Sequence, residues 1–190
     1  MPEHETGAEK KPIRIHIFGA SGSGTTTLGA ALAAEFDCAF FDTDDYFWKV
    51  KYSEIQERSA RLETLRLDIE GLERWVLSGS VCGWGDLLIH RFDLAIFLYL
   101  PRDIRMKRLE DRELERYGDA ILPGHPQHKI FTDFMEWAFR YDEGGEDMRS
   151  LKLHEAWAKT LACPVLRIFG DYSVAEKIEM ARVHINAMTQ

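Results

Sequence analysis

Short apolar runs along the chain alternate with longer stretches whose apolar residues recur at helical spacing. The runs are Ile13 to Phe18, Cys38 to Phe41, Trp75 to Leu77, Leu94 to Leu100 and Val165 to Phe169. Five such runs separated by helix-length segments predict an α/β domain, a five-stranded parallel sheet with helices on both faces. Ligands of such sheets gather at the carboxyl ends of the strands. The residues to inspect are therefore Gly19 onward, Asp42 to Asp45, Ser78 to Gly85, Pro101 to Arg105, and Gly170 with Asp171.

Two stretches break the rhythm, Asp45 to Gly71 and Asp111 to Ser150, the second rich in glycine and proline. Both are expected to be insertions over the active face. Within the second, Phe131, Phe134, Met135, Ala138 and Tyr141 or Asp142 recur at helical spacing. An apolar stripe of this kind predicts core packing.

The first run leads into Gly19-Ala20-Ser21-Gly22-Ser23-Gly24-Thr25-Thr26, followed by a helix-compatible segment from Thr27 to Phe36. This matches the phosphate-loop pattern G-x-x-x-x-G-K-[ST] at Gly19, Gly24 and Thr26, with Thr25 at the lysine position. Glycines let successive N–H groups turn inward, and the start of the following helix favours an anion. Thr26 is placed to give its hydroxyl to a magnesium ion. The cradle is complete, but one of its charges is absent.

The second run ends in Phe41-Asp42-Thr43-Asp44-Asp45. In a strand, Asp42 and Asp44 point to the same side, so one can support magnesium through water while the other meets an acceptor hydroxyl. The third run ends in the small-residue segment Ser78-Gly79-Ser80, where backbone can approach a substrate closely. Arg105, Arg108, Arg112 and Arg116, spaced by three, four and four, fall on one helix face. Four like charges in a row disfavour the helix and suit a polyanion. Arg102 and Arg149 border the same insertion. One of these arginines, Arg149 among them, is expected to supply the charge absent at Thr25.

Composition narrows the class. A chain of 190 residues, 45% hydrophobic, holds one core. The net charge of −8 argues against general affinity for nucleic acid or anionic membranes. Cys38, Cys82 and Cys163 are odd in number and far apart, as expected of reduced thiols. No apolar run is long enough to span a bilayer, and the expected location is cytoplasmic.

In this order along the chain, the phosphate loop, Phe41-Asp42-Thr43-Asp44, Ser78-Gly79-Ser80, the strand from Phe92 to Leu98, the arginine-rich segment and Gly170-Asp171 resemble the P-loop kinases of nucleoside monophosphates and small metabolites. That is the adenylate, cytidylate, shikimate and gluconate kinase group. The resemblance implies one domain: a core over about 13–44, 72–110 and 150–190, an acceptor-binding insert at 45–71 and a lid at 111–149. By similarity to shikimate kinase, Asp42 matches the magnesium-water aspartate and Asp44 the acceptor-contacting one. Arg58 or Arg61 would meet an anionic group on the acceptor, Ser78-Gly79-Ser80 stands where that family has a glycine triplet, and Gly170-Asp171 lies at the base-binding end.

The expected activity is ATP-dependent phosphoryl transfer to a nucleoside monophosphate or small hydroxyl metabolite, with ATP and Mg2+ bound at the loop. The alternative is a nucleotide-binding regulatory or interaction protein with little or no transfer. Expected partners are a nucleotide and a small-molecule acceptor, with monomer and homodimer both open.

Overall fold

The computed structural model describes residues 11–50 and 54–189. Its central strand, β1 (Ile13–Gly19), is almost wholly buried, as a strand covered on both faces must be. β2 (Ala39–Asp42), β3 (Trp48–Val50), β4 (Glu54–Ile55), β5 (Arg74–Ser78), β6 (Leu94–Tyr99) and β7 (Val165–Phe169) follow in chain order. Five of them form the expected sheet, in the order β2-β5-β1-β6-β7, all parallel. The chain passes to one side of β1 for β2 and β5 and to the other for β6 and β7. The carboxyl end of β1 thus lies where the winding reverses, the place at which such sheets open a crevice.

Alternation along the strands divides the core in two. On one face Ile13, Ile15, Ile17, Ile96 and Leu98 pack against α1 (Thr25–Phe36) and α7 (Val174–Thr189). On the other, Phe18, Trp75, Leu77 and Phe97 pack beneath α3 (Arg58–Asp68) and α6 (Leu151–Ala158), which contributes Trp157. His16 sits among these rings, 4.7 Å from Phe92 and 5.5 Å from Phe18.

The first stretch outside the sheet rhythm holds most of α2 (Thr43–Phe47), a small antiparallel hairpin of β3 and β4, and α3. The second begins within α4 (Arg102–Tyr117) and continues through short 3-10 turns and α5 (His128–Phe139). Among the described residues no helix is long and apolar enough to cross a membrane.

Candidate active site

The glycines of the β1–α1 loop each answer a local demand. A Cβ on Gly19 would collide with the Leu98 carbonyl of β6, and one on Gly22 would lie 2.9 Å from the Arg105 carbonyl. The loop is therefore pressed between the sheet and α4. Gly22 and Gly24 adopt φ of 80° and 90°, conformations L side chains resist. Gly24 caps α1 without a side-chain hydrogen bond, so the first amides of the helix lack a side-chain acceptor. The Ser23 hydroxyl is buried and has no hydrogen-bond partner within the protein. Free amides, an orphaned hydroxyl and a helix start around a glycine curl fit a phosphate group.

A cleft of about 640 Å³ opens over this loop. Gly19 to Thr26 line it, apart from buried Ser23, and Asp42 at the end of β2 faces them together with Asp44 and Asp45, which lie in the first turn of α2 and not on the strand as expected. Asp42 also caps α2, its Oδ1 accepting the Asp44 N–H at 3.0 Å. Gly79 and Ser80 complete that side. Ser78 does not: its hydroxyl is buried beneath the sheet end, near Gly29 of α1.

The arginine stripe divides. Arg108, Arg112 and Arg116 line the cleft, whereas Arg105 is fully buried. Its Nε donates to the Leu100 carbonyl at 3.0 Å and its Nη2 to Asp142 at 2.5 Å. A catalytic place for Arg105 is therefore corrected to a structural one. The four residues do share a helix face, but α5 and the turn after it cover the first turn of α4. Within the cleft Arg108 pairs with Asp171 at 2.6 Å, and Arg112 donates to Glu113 at 2.7 and 2.9 Å.

Arg149 enters from the start of α6 and makes no hydrogen bond or ion pair within the described residues. Burial presses its pKa below the usual arginine value, an effect partly offset by the Asp44 carboxylate. Its guanidinium carbon lies 5.6 Å from the centre of the Trp137 ring. A half-buried cation without a carboxylate bonded to it, at the edge of a phosphate cradle, is suited to an anionic ligand.

A second cavity, about 440 Å³, adjoins the first and shares Ser21, Asp44, Arg112, Arg116 and Arg149 with it. Its remainder is lined by the aromatic residues Phe47, Trp48, Tyr117, Phe131, Phe134 and Trp137 together with aliphatic residues, Glu113 and Gln127. Phe131 and Phe134 are thus lining rather than core, although Ala138 and Tyr141 on the same stripe are buried as expected. The other expected acceptor contacts, Arg58 and Arg61, fall outside both cavities. Arg58 is exposed, and neither it nor Arg61 lines either cavity. Arg61 is buried, donates to the Gln56 carbonyl at 2.6 Å and supports Phe47 from behind, 4.2 Å from its ring centre. Gly170 and Asp171 sit at the carboxyl end of β7, outside the cleft lining, and reach it through Arg108.

Behind Ser80 runs a buried polar chain. The Tyr141 hydroxyl and His154 Nδ1 are 2.8 Å apart, and His154 Nε2 is 3.0 Å from Ser80 Oγ. Burial lowers the His154 pKa to about 3, so the ring is neutral. In the tautomer where Tyr141 donates to Nδ1, Nε2 donates to Ser80 and leaves the serine hydroxyl free to donate. Cys82, nearby, is pushed up to about 11 by burial and stays a thiol.

The chain has relatives in sequence and in structure. It is 47% identical over 165 residues to the protein YqaC of Bacillus subtilis (strain 168), covering 87% of this chain and 93% of YqaC. The chain belongs to the YqaC family. No protein-family model matches it. Its fold is that of the shikimate and gluconate kinase-like P-loop proteins. Shikimate kinase from Aquifex aeolicus superposes with a TM-score of 0.56 at 19% identity, covering 94% of this chain and 100% of that one. Shikimate kinase from Bacteroides thetaiotaomicron gives 0.56 at 18%, over 92% and 98%. A gluconokinase from Sinorhizobium meliloti gives 0.55 at 16%, over 95% of each chain.

In this YqaC-family protein, Trp137, Trp48, Phe47 and Tyr117 are cavity residues and His154 supports Ser80, none of them expected from the sequence. Trp137 lies three residues beyond Phe134, so the helical spacing that marked the stripe extends to it. His154 carries no local signal, because its two partners are distant in sequence.

Proposed function

We propose that this protein is an ATP-dependent phosphotransferase acting on a small acceptor. The observation that carries the reading is the meeting, in one cleft, of a glycine phosphate cradle, the Asp42–Asp44 pair and the unpaired guanidinium of Arg149. Low identity to the structural neighbours means that the likeness supports the fold, while the activity rests on these residues.

The phosphates of ATP would lie on the amides between Gly19 and Thr26. Thr26 and Asp42, both in the cleft wall, would hold Mg2+, which supplies charge neutralisation on the phosphate oxygens. An acceptor oxygen then bonds to the terminal phosphorus as the bridging bond to ADP breaks. Asp44 takes or orients the acceptor's proton. Arg149, with Arg112 beside it, supplies the positive charge for which other phosphate loops carry lysine. Catalysis of this kind is positioning and electrostatics, so no covalent nucleophile is needed.

Thr25 at the lysine position favours a second reading, a nucleotide-binding regulatory protein with little transfer. A screen of hydroxyl metabolites and nucleoside monophosphates for ATP consumption separates the two. Turnover above the acceptor-free rate supports the kinase. Saturable ATP binding with no turnover across the panel supports the regulator, and absence of ATP binding removes both.

A further inference from the structure

The two cavities differ in chemistry along a single axis. The residues they share, Ser21, Asp44, Arg112, Arg116 and Arg149, are all polar or charged. Those lining only the second cavity are apolar or aromatic apart from Glu113 and Gln127, and Glu113 is already engaged by Arg112 and Arg116. The polar end therefore faces the phosphate loop, and the aromatic end points away from it.

The boundary is itself built of paired charge and ring. Arg112 lies 5.7 Å from the Phe134 ring centre, Arg116 lies 5.9 Å from that of Tyr117, and Arg149 lies 5.6 Å from that of Trp137. Stacking on the rings restrains the guanidinia that face the cleft. A polyhydroxylated acceptor would have to strip its hydroxyls of water against rings that offer few partners, which is costly. A planar aromatic body gains instead from those same rings.

From this polarity we infer that the acceptor is an aromatic anion, with a planar ring seated among Phe131, Phe134 and Trp137 and an acidic, oxygen-bearing end held at Arg149 and Arg112. The inference rests on the phosphotransferase reading for the role of the ligand but not for its binding. Two sources share this chemistry, nucleoside monophosphates and aryl hydroxy acids. Shikimate and gluconate, names attached to the structural neighbours, represent the opposite class of hydroxylated, non-aromatic acids.

Calorimetric titration of the full chain without ATP tests it. The probes are AMP, CMP, GMP and UMP in one arm, phenyllactate and 4-hydroxyphenyllactate in another, and shikimate and gluconate in the third. At least one aromatic arm should saturate about tenfold more tightly than the third, and the arm that does so names the source. Trp137→Ala should weaken that ligand about tenfold and Trp137→Phe far less, with Phe131→Leu as a second probe should Trp137→Ala fail to fold. Tighter binding of shikimate or gluconate overturns the inference. So does a panel in which no aromatic anion saturates, or unchanged affinity in the foldable variants. ATP titrated separately into the same protein tests the phosphotransferase reading: ATP bound with no aromatic anion bound defeats this inference alone.

Discussion

A Cβ on Gly79 would fall on the Thr43 hydroxyl. That contact joins the loop after β5 to the turn after β2, and Ser80, Asp42 and Asp44 line the same cleft. Gly79 also has φ of 91°. Gly79→Ala should therefore cost roughly 1–3 kcal/mol through backbone strain alone, and displacing Thr43 should disturb Asp42 and Asp44. Thermal unfolding should show a lower midpoint, and turnover should fall further than stability explains. A midpoint and turnover equal to wild type would show that the two turns are not coupled.

Arg105 and Arg149 predict opposite phenotypes. Arg105→Ala empties a fully buried site and leaves half-buried Asp142 with Arg102, so it should destabilise by about 3 kcal/mol, the lower end of what loss of one member of a buried pair costs. Arg149→Ala removes a half-buried charge with no bonded carboxylate. Its fold should survive, while turnover falls by at least tenfold. Thr25→Lys, which puts a lysine in the loop, should restore part of the turnover lost in Arg149→Ala. Denaturation midpoints and steady-state rates on the four proteins decide this. If Arg149→Ala turns over normally, the surrogate charge must be sought at Arg108, Arg112 or Arg116.

The unequal fates of these arginines show what the sequence could disclose. Gly19 to Thr26 was legible because its glycines answer demands of the loop itself, and the central strands β1, β5 and β6 were legible because burial on both faces writes continuous apolar runs, while the edge strands β2 and β7, only partly buried, still carry short apolar runs. Asp42 follows from its position at a strand end, but strand alternation did not place Asp44: β2 stops at Asp42, and the first turn of α2 brings Asp44 into the cleft. Spacing alone does place Arg105 and Arg112 on one face, but only tertiary packing decides that the first lies under α5 and the second in the cleft. The same limit applies to Phe131 and Phe134. A helix stripe has the same period whether it faces a core or a cavity, so rings that form a binding wall read as packing. Arg58 and Arg61 were attached to the acceptor by resemblance, and the local fold of α2 and α3 turns both away.

Two buried histidines predict a pH dependence of stability. His16 and His154 have their pKa values lowered from 6.5 to about 3, in both cases chiefly by desolvation. For His154 the positive charge of Arg149 adds to the effect. The folded rings stay neutral while the unfolded chain takes up protons first. Their contribution is complete above about pH 6.5 and is lost progressively as pH falls from there toward 3, by up to about 1.4 kcal/mol per pH unit for each ring. Urea unfolding between about pH 7 and pH 5 should show falling midpoints. His154→Gln, which does not titrate, should flatten that slope. A variant as steep as wild type would mean that His154 is already protonated in the fold.

Asp42 and Asp44 lie two residues apart, yet their substitution should separate two functions. Asp42 caps α2 through its Oδ1, and asparagine caps about as well, so Asp42→Asn should leave stability nearly unchanged. What it loses is charge toward the phosphate loop, and the expected result is weaker Mg2+ dependence together with weaker ATP affinity. Asp44 lines both cavities and stands near Arg149. Asp44→Asn keeps its size but removes the proton acceptor, so transfer should fall roughly a hundredfold with little change in ATP affinity, in line with a general-base contribution. Removing the negative charge also deprives Arg149 of its nearby counterweight, so an anionic acceptor should bind the variant no more weakly. Rates and ATP affinities measured on both variants with the acceptor that turns over distinguish the roles. Equal transfer by wild type and Asp44→Asn would take Asp44 out of the chemistry.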